Sequence, residues 1–118
     1  MIGKYLRIVA VTKTKVTEMR LTSAIAEKRI HEIAMVTGNV ILGKHAMDRM
    51  SERDITDADV FKVLRTGYVD DHPIRTNKDD WTCKITLQIR GSRIAGVVTI
   101  ILHDGKLFVK TVEWEDLK

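Results

Sequence analysis

Histidine, arginine and glutamate converge on one short stretch of this chain, His45-Ala46-Met47-Asp48-Arg49-Met50-Ser51-Glu52-Arg53. At about 100° per residue on a helix, His45, Arg49 and Glu52 project from one side and Arg53 sits at its edge. Met47 and Met50 fall on the far side, so the polar stripe is not the core stripe. His45 can act as acid or base, because imidazole titrates near neutrality. Arg49 and Arg53 can grip a phosphate through paired N–H donors. Glu52 can orient His45 or serve as a base. Lys84 and Arg90 share the polar face of a later strand and can complete a basic groove. Cleaving RNA without a metal needs a base for the 2′-hydroxyl, cations on the phosphate and an acid for the leaving oxygen, and these residues are candidates for those roles without forming a complete catalytic set. A second reading uses the same residues as an ion-pair network, either on a solvated helix or pinning that helix to a sheet. Lys84 and Arg90 are then solvent-facing strand residues.

Other chemistries find no foothold. Cys83 falls on the buried parity of its strand and reads as an inert core thiol. His31, His72 and His103 are scattered without ligand spacing, so no metal is expected. No glycine-rich loop opens a helix and no Ser or Cys sits on a nucleophile turn, so no cofactor is expected either. Trp81 and Trp114 read as sheet-packing aromatics, and Asp70-Asp71-His72 as a solvated loop.

The elements that must position these residues follow from periodicity. Tyr5 to Val11 reads as a strand, extended by the alternation of Thr12 to Thr17. Thr22 or Ser23 caps a helix running to about Val36, with Ala26, Ile30, Ile33 and Ala34 on one face and Gly38-Asn39 as its stop. A short helix covers Gly43 to Asp54. Thr56 and Asp59 form an acidic capping box, stapled by Ile55 and Val60, for a helix that buries Val60, Val63 and Leu64 and ends at Gly67. A polar connection containing Pro73 follows. Trp81 to Arg90 alternates, with Trp81, Cys83, Ile85, Leu87 and Ile89 on its apolar face. Gly91-Ser92 turns the chain into Ile94 to Leu102, an apolar run expected to be covered on both faces. Asp104-Gly105 signals a type I′ turn into Leu107 to Trp114, whose alternation sets Leu107, Val109, Thr111 and Glu113 against Phe108, Lys110, Val112 and Trp114. The expected class is α+β, with helices packed on one face of a mostly antiparallel sheet that ends in a three-stranded meander.

A chain of 118 residues with 44% hydrophobic and 31% charged side chains fits one globular domain. The net charge of +4 is mild and unevenly placed, with surpluses of +5 over residues 1–53 and +2 over residues 82–118 around a deficit of −3 over residues 54–81. Any anion-binding face is therefore expected from the first and last thirds. A single cysteine and no apolar run of signal or membrane-span length point to a cytoplasmic protein without membrane contact.

The pattern His-Ala-x-x-Arg-Met-x-Glu-Arg-x-Ile, here His45, Ala46, Arg49, Met50, Glu52, Arg53 and Ile55, is followed by a capped helix carrying Val60, Val63, Leu64 and Gly67. With the closing strand before Trp114, it resembles a bacterial family of small proteins known mainly as a domain of unknown function, often found in mobile or toxin-like gene settings. The likeness spans about Gly43 to Trp114. Residues 1–42 then read as an N-terminal extension on a core of residues 43–118. The family's layout is in turn similar to small ribonuclease toxins of toxin–antitoxin pairs, a fold-level analogy. What it implies is a metal-independent endoribonuclease, with His45 and Glu52 catalytic and Arg49, Arg53, Lys84 and Arg90 on the phosphates of RNA. An antitoxin would be its partner. The alternative expectation is a non-catalytic module of a phage or mobile element that binds a protein or nucleic acid. Its N-terminal strand and helix would dock that partner or form a homodimer.

Overall fold

The computed structural model describes residues 20–76 and 79–117. The strand expected over Tyr5 to Val11, with its extension to Thr17, lies outside these residues.

Helix α1 spans Ser23–Ala34 and begins where the Thr22 hydroxyl accepts the Ile25 N–H at 3.2 Å. Its core stripe is Ala26, Ile30 and Ala34, all fully buried. A single 3₁₀ turn, Thr37–Asn39, carries the expected stop residues and leads into strand β1, Val40–Leu42. Helix α2 spans Lys44–Arg53 and stops at Asp54, whose φ of 55° places it in the left-handed region that Asp tolerates better than most side chains. Helix α3 spans Asp57–Thr66 and starts with the expected reciprocal box. The Asp59 N–H donates to the Thr56 hydroxyl at 3.1 Å, and the Thr56 N–H donates to the Asp59 carboxylate at 2.9 Å. Ile55 and Val60 are both buried across that cap, as a hydrophobic staple requires.

Gly67 ends α3 by close approach. A methyl group there would lie 2.5 Å from the Val63 carbonyl oxygen and 2.7 Å from that of Thr86. The absent side chain lets the helix end meet the sheet, where Tyr68 and Thr86 exchange backbone hydrogen bonds of 2.9 Å.

Strands β2 (Ile74–Arg75), β3 (Trp81–Gln88), β4 (Ile94–Ile101) and β5 (Leu107–Trp114) complete a five-stranded sheet in the order β1-β5-β4-β3-β2. Pairing is antiparallel throughout, apart from β1, which runs parallel to β5. The meander turns contain Gly91 and Gly105 at φ of 70° and 88°, conformations open to glycine. The result is α+β, with the three helices over one sheet face.

That face carries the core. Register aligns Trp81 with Ile101 and Leu107, Cys83 with Thr99 and Val109, Ile85 with Val97 and Val112, and Leu87 with Ala95 and Trp114. Thr99 is the buried polar member, and its hydroxyl donates to the Phe108 carbonyl at 3.2 Å. The parity of β5 corrects the simple alternation. Val98 pairs with Thr111 and Thr99 with Val109, so Lys110 is an extra residue. This bulge flips the strand's parity. Leu107 and Val109 face the helices before it, Val112 and Trp114 after it, and Glu113 turns to the other face. Strand β4 is covered on its helix side, but Val98 and Ile100 remain half-buried and Ile94 exposed on the other, so the expected double covering is not seen among the described residues. Leu21 and the α1 stripe belong to the same buried cluster as the sheet, so the helix of the N-terminal extension is integral to the core.

Candidate functional site

Helix α2 lies along β5 and presents Ala46 to the core, with Met50 half-buried beside it. Its outward arc, ordered by the 100° step, runs from Met47 through Lys44, Asp48 and Glu52 to His45. His45 and Glu52 are exposed, as the sequence spacing requires. Arg49 and Glu52 form an ion pair of 2.6 Å across one helical turn. Met47 is 49% exposed and is not part of the core.

Arg53 faces inward. Its Nη1 donates to the Val112 carbonyl at 2.8 Å, while its own carbonyl accepts the Trp114 indole N–H at 2.8 Å. Arg90 reaches the same junction from the end of β3. It donates to the Asp54 carbonyl at 2.6 Å and pairs with Asp59, the carboxylate of the α3 cap. Its guanidinium also stands 5.7 Å from the Trp114 ring, and that of Arg93 stands 4.0 Å away. The structure therefore brings Arg53 and Arg90 together around Trp114, where both hold the α2–α3 corner against the sheet.

Lys84 lies elsewhere. Its neighbours Cys83 and Ile85 face the helices, so alternation places Lys84 on the opposite face. There its ammonium pairs with Glu113 at 3.2 Å and Glu115 at 2.9 Å. The Glu115 bond, helped by Glu113, raises the lysine pKa against the opposing effect of burial. Gly96 makes room for this arrangement, since a methyl group there would lie 2.4 Å from the Glu115 carboxylate. The sheet thus separates Lys84 from α2, and the expected groove of Arg49, Arg53, Lys84 and Arg90 does not form one surface. Cys83 is buried, and burial pushes its thiol up to about 11, far from a nucleophile's range.

One pair was not legible as a site in the sequence. Asp80 and His103 are hydrogen-bonded across the start of β3 and the β4–β5 turn, with ring Nδ1 3.0 Å from the carboxylate. They lie 23 residues apart and carry no local spacing signal. Only the antiparallel register of Trp81 against Ile101 brings them side by side.

The fold is α+β, with the polar helix α2 clasped to the last strand of the meander. The chain belongs to the family described as Domain of unknown function (DUF4258), whose model matches residues 42–114. Those limits run from the last residue of β1 to the last residue of β5. No curated protein and no solved structure matches the chain significantly. Among the described residues no group of side chains is arranged to hold a metal ion, and no helix is long and apolar enough to cross a membrane.

Proposed function

We propose that this chain is a binding module and that the outward arc of α2 meets a protein partner. The observation that carries this reading is the division of the cations. Arg53, Arg90 and Lys84 are each tied to a carbonyl or carboxylate of the fold itself. A phosphate backbone is held by several cations that are free to exchange counterions on one surface. The α2 arc instead mixes signs, with Lys44 3.7 Å from Asp48 and Arg49 paired to Glu52, around a half-exposed Met47. Mixed charge around an apolar side chain suits a protein surface of complementary pattern. The ribonuclease reading places its acid–base work on His45 and Glu52 of the same arc, so one set of variants separates the two.

Purified protein is expected to leave RNA intact. A photo-crosslinking side chain at Met47 is expected to trap a discrete protein in the source cells, and Glu52→Lys is expected to abolish the adduct. RNA cleavage that disappears in His45→Ala would overturn this reading in favour of a metal-independent ribonuclease.

A further inference from the structure

At the end of the sheet opposite Trp114, the β4–β5 turn meets the loop entering β3. There one oxygen of Asp80 accepts both the backbone N–H of His103 at 2.8 Å and its ring Nδ1 at 3.0 Å. The carboxylate is largely buried, 14% exposed, whereas the imidazole is 68% exposed. Holding Nδ1 against a carboxylate fixes the ring and leaves Nε2 as its outward nitrogen. Asp80, with smaller contributions from Asp104 and Asp79, raises the histidine pKa and favours the imidazolium.

Beside this pair opens a cavity of about 340 Å³, walled by Trp81, Ile33 and Ile101 and holding Arg29 from α1. Two further carboxylates border it and both are engaged, Glu32 with Lys28 at 3.9 Å and Asp79 with Arg75. Arg29 forms no ion pair with another described residue. The cavity therefore combines an indole side chain with a guanidinium and an imidazole, and its bordering carboxylates face other cations. Its volume is at the lower end of the roughly 300–1,000 Å³ typical of small-molecule sites.

We propose that this cavity binds a nucleoside monophosphate group, its base against Trp81 and its phosphate between Arg29 and His103. Aromatic stacking and bidentate guanidinium contact are the two recognitions such a ligand needs. The site stands apart from the outward arc of α2 and is independent of the partner proposed there. Because an anion favours the imidazolium, affinity rises as pH falls through the titration of His103. The groups that set this titration are Asp80, then Asp104 from the turn and Asp79 from the β3 entry loop; Arg29 and Glu32 from α1 line the same cavity.

The test is a titration of the full chain with adenosine 5′-monophosphate, followed by tryptophan emission, with adenosine as the phosphate-free probe. Trp114 is buried at the far end and supplies a constant background, so the change reports Trp81. The monophosphate is expected to bind at least about tenfold more tightly than adenosine. Arg29→Gln and His103→Gln should each remove that advantage while leaving adenosine binding unchanged. Both residues are exposed or lie at a cavity lip, so the fold survives the changes. In a second arm, a 5′-phosphorylated RNA oligonucleotide that competes more strongly than the mononucleotide would assign the ligand to a strand end. Weaker competition would assign it to a free nucleotide. The absence of a saturable response at millimolar nucleotide would overturn the proposal, and so would equal affinity for adenosine and its monophosphate.

Discussion

Trp114 is 3% exposed and carries an indole N–H that burial would otherwise leave without water. The Arg53 carbonyl accepts its hydrogen bond, and the Arg53 side chain donates one to the carbonyl of Val112, two residues earlier in the strand. One residue thus ties the end of α2 to β5 twice, which is a structural use for a guanidinium that the sequence equally offered to a phosphate. Helical spacing correctly separated His45 and Glu52 from the core, because a 100° step depends on nothing but the helix. It could not show which arginine would turn inward, since Arg53 lies at the edge of the stripe and its partners come from a strand sixty residues away. For Lys84 the answer was latent. A residue on the polar parity of β3 lies behind a sheet whose apolar parity is covered by helices. At this scale the Asp80–His103 pair makes a prediction about pH. Its folded-state histidine pKa is raised above 6.5, so the pair's stabilisation is full below that value and lost as pH rises through the folded pKa. In a ring-proton NMR titration, Asp80→Asn should move the His103 midpoint down. The stability gap between wild type and variant should be full below the ordinary histidine pKa and close as pH rises through the raised His103 midpoint. A His103 midpoint unchanged in the variant would refute the pairing.

The elements divide by how much of their information is local. The capping box of α3, its staple and its Gly67 stop were all legible, because each uses residues within one turn of the helix end. Thr56→Ala is expected to cost about 1 kcal/mol in urea denaturation, as the loss of an N-cap acceptor does. Gly67→Ala should cost more, about 1–3 kcal/mol, because the new methyl meets two backbone carbonyls that cannot swing aside. A neutral Gly67→Ala would show that α3 and β3 are not held at the distance described. The two edge strands were not legible. Three residues in β1 and two in β2 are too few to display a period of two, and both exist only because a longer neighbour supplies the ladder. The bulge at Lys110 was equally hidden, since an unbroken alternation of residue types gives no sign of an extra residue.

For the whole molecule, the family unit of residues 42–114 and the physical core do not coincide. Ala26, Ile30 and Ala34 on α1 are fully buried, and the C-terminal ends of α1 and α3 are hydrogen-bonded to each other. The His31 ring lies 2.8 Å from the Gly67 carbonyl, and Arg65 donates to the Ala34 carbonyl at 2.8 Å while its guanidinium lies 4.8 Å from the Phe61 ring. Burying one isoleucine contributes about 1.5–3 kcal/mol, a large part of a small domain's net stability. A chain trimmed to residues 42–118 is therefore expected to lose cooperative thermal unfolding in calorimetry, and a sharp transition would show that α1 is dispensable. The charge surplus is likewise redistributed by folding. Among the described residues, Arg53, Lys84 and Arg90 of the basic thirds act as internal ties and do not share one surface. The central claim is that the two arginines of the α2 motif have different duties, Arg53 tying the helix to the sheet and Arg49 pairing with Glu52 on the helix surface. The most direct test is urea denaturation of Arg53→Ala beside Arg49→Ala. We predict a loss of about 2–3 kcal/mol for Arg53→Ala, the scale of a charged hydrogen bond to a half-buried carbonyl, and less than about 0.5 kcal/mol for Arg49→Ala. Equal losses, or a larger loss at Arg49, would contradict it.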